Sequence, residues 1–301
     1  MQLQTNVHSN RGWGRKTLRG TLVTVLVFMA GIAWNHIEAP RSLAYSAFRE
    51  LSRFGIGLQT RGWESMKGSH FEIRYQPEDV DMASIVLNTA EEAVEPVNAR
   101  LGYAPQGRML VLVYPTREAL GKSFGWAADQ SAMGVYWAGT IRVLSPAAWI
   151  ESGPQYQVAQ EFRTTGPMVH EYTHLVVDYI SRGNYPRWFT EGVAQYIERD
   201  FTGFMLSDQV IGSEEEWFSL NELDRNFDTP LGQPKAYRQS LAMIDYLGQE
   251  YGEDAFVRIL HRLGQGVSFE TAWKDETGVS LEQFEDSFGV WTQSQVACST
   301  L

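Results

Sequence analysis

The stretch Pro167-Met168-Val169-His170-Glu171-Tyr172-Thr173-His174-Leu175-Val176-Val177 places two of the chain's six histidines four residues apart inside an apolar run. Imidazoles and carboxylates rarely enter a core without partners, because burying them uncompensated is costly. A metal ion supplies that compensation. On a helix, residues four apart share one face, so both imidazoles can reach one ion. Glu171 is rotated off that line, where its carboxylate meets a water on the ion instead of the ion itself. This is the logic of His-Glu-x-x-His: bound Zn2+ lowers the pKa of its water to about 7, and a neighbouring carboxylate takes the proton as the water attacks a carbonyl.

Two histidines leave such a site incomplete. His8 and His36 belong to the N-terminal region, His70 opens a strand and His261 lies far downstream. No third histidine follows on the glycine-containing spacing of metzincins, so the third ligand is expected to be a carboxylate. Glu191, in "PRWFTEGVAQY" (186–196), meets that need, because the short loop "SRGNYP" (181–186) turns a second helix back antiparallel to the first. Asp178 competes poorly. Eight residues beyond His170, it stands about 12 Å along the axis, too far to share an ion with both histidines.

Composition narrows the chemistry further. The chain has 301 residues, 44% hydrophobic and 13% aromatic, which predicts a folded protein with a substantial core. Lys and Arg number 25 against 36 Asp and Glu, a net charge of −11 with no basic stripe, so a nucleic-acid partner is not expected. Cys298 is the one cysteine, which excludes an internal disulfide and a thiolate cluster and leaves His, Asp and Glu as metal ligands. No phosphate loop, dinucleotide fingerprint or Gly-x-Ser-x-Gly elbow occurs.

Along the chain, "TLVTVLVFMAGIAW" (21–34) follows Arg11, Arg15, Lys16 and Arg19, the charged-then-apolar order of an export signal. It is shorter than the roughly 17–25 apolar residues of a spanning helix, and Gly31-Ile32-Ala33 offers a small-x-small cleavage site. Residues 1–36 are therefore read as a signal peptide or a short membrane anchor, with the remainder extracytoplasmic, either secreted or held at the cytoplasmic membrane. Residues 37–66, including "RFGIGLQTRGW", show no clear period and are read as a spacer.

From 67 onward the texture is that of a folded lobe. "SHFEIRYQP" (69–77) alternates as a half-buried strand, 81–101 has helical spacing that Pro96 is expected to kink or end early, and "RMLVLVYP" (108–115) is a short apolar strand. "GVYWAGTIRVLSP" (134–146) reads as a hairpin with Gly139 in its turn. Beyond 157 the periodicity is helical: around His170, then 187–200, 236–252, 254–264 and 280–293. The expectation is an α+β fold, with a small mixed sheet and the motif helices in a catalytic lobe (67–200), followed by a helical C-terminal lobe (201–301).

"HEYTHLVVDY" (170–179) followed by "WFTEGVAQY" (188–196) resembles the gluzincin metallopeptidases, in which His-Glu-x-x-His is followed on a second helix by a ligand glutamate. Trp188 to Ala194 is similar to the Trp-Leu-Asn-Glu-Gly-Phe-Ala element of the zinc aminopeptidases, and Asp178-Tyr179 matches the Asp-Tyr of thermolysin-type enzymes. The whole of 67–293 resembles the peptidase MA-like domain of bacterial exported proteins. The resemblance implies a zincin-like fold and a zinc-dependent peptidase acting on peptides or proteins. His170, His174 and Glu191 are then the Zn2+ ligands and Glu171 the general base.

The same resemblance bears on two further residues. Gln195 stands where thermolysin-type enzymes place an aspartate that orients a ligand histidine. Its amide oxygen can accept an imidazole N–H, though less strongly than a carboxylate; the other reading is an ordinary helix-face glutamine. Tyr237 corresponds by order to the tyrosine of zinc aminopeptidases that stabilises developing charge, or it closes a core. The alternative to a peptidase is a catalytically inactive zinc-binding or interaction domain tethered outside the membrane. Glu171 speaks against it, since a structural site has no use for a free carboxylate beside a ligand.

Overall fold

Phe71, Ile73 and Tyr75 are buried and alternate with half-buried Glu72 and Arg74, which makes strand β2 (Phe71–Tyr75) one-sided toward the core. Strand β3 (Met109–Tyr114) is buried along its whole length, as its unbroken apolar run requires. It lies parallel to β2 and to β5 (Thr140–Leu144), which makes it the centre of the sheet. Strands β1 (Glu64–Lys67) and β4 (Gly134–Trp137) add antiparallel edges, giving the order β1-β2-β3-β5-β4. The β4–β5 turn is Ala138-Gly139, both at positive φ (45° and 84°), the geometry that matches the twist of a two-residue hairpin.

The computed structural model describes residues 38–126, 132–205, 217–227, 229 and 231–299. Within them the chain is mostly helical: α1 (Glu38–Gln59), α2 (Val80–Leu101), α3 (Arg117–Phe124), α4 (Gln155–Thr165), α5 (Met168–Ser181) and α6 (Arg187–Thr202). There follow α7 (Leu220–Asn226), α8 (Gln233–Tyr251), α9 (Ala255–Gly264), α10 (Phe269–Thr277) and α11 (Leu281–Ser299). Among the described residues the architecture is α+β, a small five-stranded mixed sheet and eleven helices, the class that the periodicities predict.

One face of the sheet (Ile73, Val111, Val113, Ile141, Val143) packs on α2 and α5, in a core that continues into α6 and α8 to α11. The other face (Leu110, Leu112, Tyr114, Leu144) is closed by Ile56 of α1 and Leu120 of α3. Trp188 and Phe189 of α6 stack edge-on with Phe269 and Trp273 of α10, at centroid distances of 5.2–6.3 Å. Aromatic burial of this kind ties the motif helices to the C-terminal helices.

Two expectations are corrected. Residues 37–66 are not a spacer: they hold α1 and β1, and Arg49 and Ile56 of α1 are buried against the body. Pro96 does not end its helix early, since α2 runs through it to Leu101. Ala93, Val94, Val97 and Leu101 are buried on both sides of the proline, and that packing outweighs the single backbone bond it removes. The apolar run 21–34 lies outside the described residues. Among those that are described, no helix is long and apolar enough to cross a membrane.

Candidate active site

Helix α5 starts after Pro167 and ends where Arg182 and Gly183 adopt left-handed φ values of 57° and 72°. The reversal is fixed by Asn184, whose amide donates to the Val267 carbonyl at 2.8 Å, and by Tyr185, whose hydroxyl donates to Asp178 at 3.3 Å. Helix α6 then starts after Pro186 and runs back beside α5. Gly192 lets α8 cross closely: a Cβ there would lie 2.6 Å from Cγ1 of Ile244 and would also strike the Ser240 carbonyl. That crossing brings Tyr237, at the start of α8, into the field of Glu191.

The result is a cluster of ligand-type atoms. Nε2 of His170 and Nε2 of His174 face each other at 3.1 Å, and Glu191 Oε2 lies 3.4 Å from the first and 3.3 Å from the second. Among the described residues, Glu191 Oε2 is buried yet makes no hydrogen bond. A buried oxygen without a donor, facing two ring nitrogens, fits a cation better than a set of neutral contacts. Ligand atoms 2.0–2.2 Å from a tetrahedral ion stand about 3.3–3.6 Å apart. His170, His174 and Glu191 can therefore hold a metal ion, and their spacing suits that geometry.

The outer ring nitrogens are also engaged. Nδ1 of His170 is 3.1 Å from Glu198 Oε2, and Nδ1 of His174 is 2.7 Å from Thr190 Oγ1. When a carboxylate or hydroxyl oxygen accepts a hydrogen bond from the Nδ1–H, the Nε2 lone pair is left directed at the centre. Glu198, not Gln195, lies against a ring nitrogen of the histidine pair. The Gln195 side chain instead donates to the carbonyls of Glu191 at 3.2 Å and Tyr237 at 2.9 Å, stapling α6 to α8. Asp178 stands apart from the metal group: its carboxylate takes hydrogen bonds from Arg49, Tyr136 and Tyr185.

Glu171 is buried beside the group, and its Oε2 accepts the Tyr136 N–H of edge strand β4 at 2.6 Å. Burial raises its pKa, opposed by His170 and His174. For His170, burial lowers the pKa, but the carboxylates of Glu198, Glu191 and Glu171 outweigh it and the net shift is strongly upward. Glu191 is the converse: burial raises it, and the two imidazoles hold it well below the usual carboxylate range. Without an ion, a proton is drawn to the place where positive charge is wanted.

Tyr237 packs edge-on against Phe227 at 5.1 Å, and burial, then the Glu191 charge, push its phenol pKa up. It is a neutral donor at any ordinary pH. Arg187 joins it: its Nε lies 3.6 Å from Glu191 Oε1 and its guanidinium lies over Phe227. Four contributors, Glu198, Thr190, Arg187 and the Tyr136 N–H, were not read from sequence. Glu198 had a signal, since it follows Glu191 by seven residues and so sits on the same face two turns on. A backbone N–H leaves none.

The family model of the Peptidase MA superfamily matches residues 89–294, well over half of the chain and all of the motif helices. The chain belongs to the Peptidase MA superfamily. Peptidase MA proteins are usually metal-dependent, and the His170, His174 and Glu191 group gives this one the means to bind an ion. The chain is also similar to the uncharacterized protein YhcO of Bacillus subtilis (strain 168), at 26% identity over 133 residues. That likeness covers 40% of this chain and 39% of YhcO.

Proposed function

We propose that this Peptidase MA protein is an exported zinc peptidase of the gluzincin type. His170, His174 and Glu191 hold the metal, and Glu171 is the general base in hydrolysis of a peptide bond. The observation that carries the reading is Glu191 Oε2, buried without a hydrogen bond and within 3.4 Å of both Nε2 atoms, with Glu171 next in sequence to the first of them.

Zinc suits two imidazoles and one carboxylate, and when bound it polarises a carbonyl and lowers the pKa of a water to about 7. The chain's own residues do the rest. Glu198 and Thr190 fix the two rings, and Arg187 draws on Glu191 Oε1. The Tyr136 N–H keeps one oxygen of Glu171 fixed while the other is left to accept the proton. Tyr237 supplies an O–H for charge developing on the carbonyl oxygen.

Metal content of the purified protein, measured beside turnover of a mixed peptide library before and after chelation, tests the proposal. About one zinc per chain with chelator-sensitive cleavage supports it. Zinc without cleavage makes this a non-catalytic binding domain, and cleavage without metal removes the basis of the assignment.

A further inference from the structure

Helix α1 turns its larger apolar face away from the protein. Toward the protein it presents Ile56 and two arginines: Arg49 is buried, donates to Asp178 Oδ2 at 3.0 Å and lies 3.7 Å over the Tyr179 ring, and Arg53 donates to the Arg108 carbonyl at 3.2 Å. Away from it stand Leu43, Phe48, Leu51, Phe54 and Leu58, exposed by 64%, 47%, 70%, 66% and 51%. At 3.6 residues per turn these five, with Ala44, Ala47 and Gly55, fill one arc of about 140°. No charged or hydrogen-bonding side chain falls inside that arc. Trp137, itself exposed, stacks edge-on against Phe48 at 5.8 Å and widens it. A contiguous apolar face of this kind marks an interaction site, not a solvated surface.

Its place in the chain selects the occupant. Three residues separate Trp34, the last of the apolar run 21–34, from Glu38, where α1 starts. Four backbone steps span at most about 14 Å. If 21–34 enters a bilayer, α1 starts at that bilayer's surface. Helices with one charged and one aromatic or aliphatic face lie in the interface with the apolar face about 5–10 Å deep. We propose that the Leu43-Phe48-Leu51-Phe54-Leu58 face of α1 lies in the surface of the membrane that residues 21–34 enter, with lipid as its occupant. The polar contacts of Arg49 and Arg53 then hold the body of the protein against that surface.

The test uses the full chain with Cys298→Ser, carrying a single nitrobenzoxadiazole-labelled cysteine at Leu51→Cys, Phe54→Cys or, as a control, the exposed Asp286→Cys of α11. Each is reconstituted into phosphatidylcholine–phosphatidylglycerol vesicles, then quenched by doxyl-labelled lipid and separately by aqueous iodide. Labels at 51 and 54 should lose roughly half their emission to doxyl lipid and little to iodide, with the reverse at 286. Iodide quenching at 51 and 54 equal to the control, in protein that floats with the vesicles, overturns the proposal while leaving the anchor intact. Shielding from both quenchers also overturns it, because protein then covers the face: a second copy or residues 1–37. Protein that does not float with vesicles lacks the tether on which the proposal rests, and that too overturns it.

Discussion

Glu198 Oε2 lies 3.1 Å from Nδ1 of His170, two turns of α6 beyond Glu191, so one helix presents both a ligand-type carboxylate and the carboxylate that orients a ligand-type imidazole. Loss of such an outer partner costs about 10- to 100-fold in metal affinity. Glu198→Ala should show that loss in a competition titration against a chromophoric chelator. The same titration on Gln195→Ala should show little change, because the Gln195 amide donates to the backbone carbonyls of Glu191 and Tyr237 and not to an imidazole.

Gly192 sits where α6 and α8 touch, with Ile244 and the Ser240 carbonyl in the space a side chain would need. Gly192→Ala should lower stability by about 1–3 kcal/mol, the usual cost of overpacking. The denaturant midpoint measures it. An unchanged midpoint means that the helices part without strain.

Tyr237→Phe removes one hydroxyl and keeps the packing on Phe227. If the phenol stabilises developing charge, kcat falls by about 10²- to 10³-fold while KM and zinc content stay close to wild type. Unchanged kcat assigns Tyr237 to packing alone.

Asp79 is buried, with Oδ1 taking a 2.6 Å hydrogen bond from Ser145 and Oδ2 without a hydrogen-bond partner among the described residues. Burial raises its pKa, and the Ser145 hydrogen bond opposes it only in part. The folded state thus binds this proton more tightly than the unfolded state. Its contribution is present at low pH and is lost as pH rises from the ordinary carboxylate range through the raised value. Asp79→Asn should therefore raise Tm at neutral pH, by about 2–4 °C per kcal/mol relieved, and the gain should shrink toward pH 4. Melting curves of both proteins at matched pH values test the sign.

The motif helices were legible because their chemistry is local: a four-residue spacing and a short loop nearly determine which side chains meet. The sheet was legible where alternation or an unbroken apolar run marks a strand, as in β2 and β3. Helix α1 was missed although Leu43, Leu51, Phe54 and Leu58 keep a helical spacing, because Gly55 and Gly57 in "RFGIGLQTRGW" argue against a helix at its end; that this face points outward, with Arg49 inside, no period can tell. Strand β1 escaped for a related reason: Glu64 and Lys67 sit on an edge, where pairing to β2 needs no apolar pattern. Gln195 was placed by position in a distant pattern, but the outer nitrogens of the two imidazoles are met by Glu198 and Thr190, while its own amide is drawn to the α8 backbone. The Tyr136 N–H on Glu171 depends on a hairpin folding beside a helix 35 residues away, which no local pattern encodes.

The central claim is that Glu171 and Glu191 have separate work: one moves a proton, the other holds the ion. Bound zinc per chain and peptide turnover, measured together on Glu171→Gln and Glu191→Ala, test it most directly. The account predicts that Glu171→Gln keeps about one zinc while hydrolysis falls by about 10²- to 10⁴-fold, and that Glu191→Ala loses zinc and activity together, with a lower Tm from the missing ligand. Wild-type turnover in Glu171→Gln, or full zinc occupancy in Glu191→Ala, would contradict it.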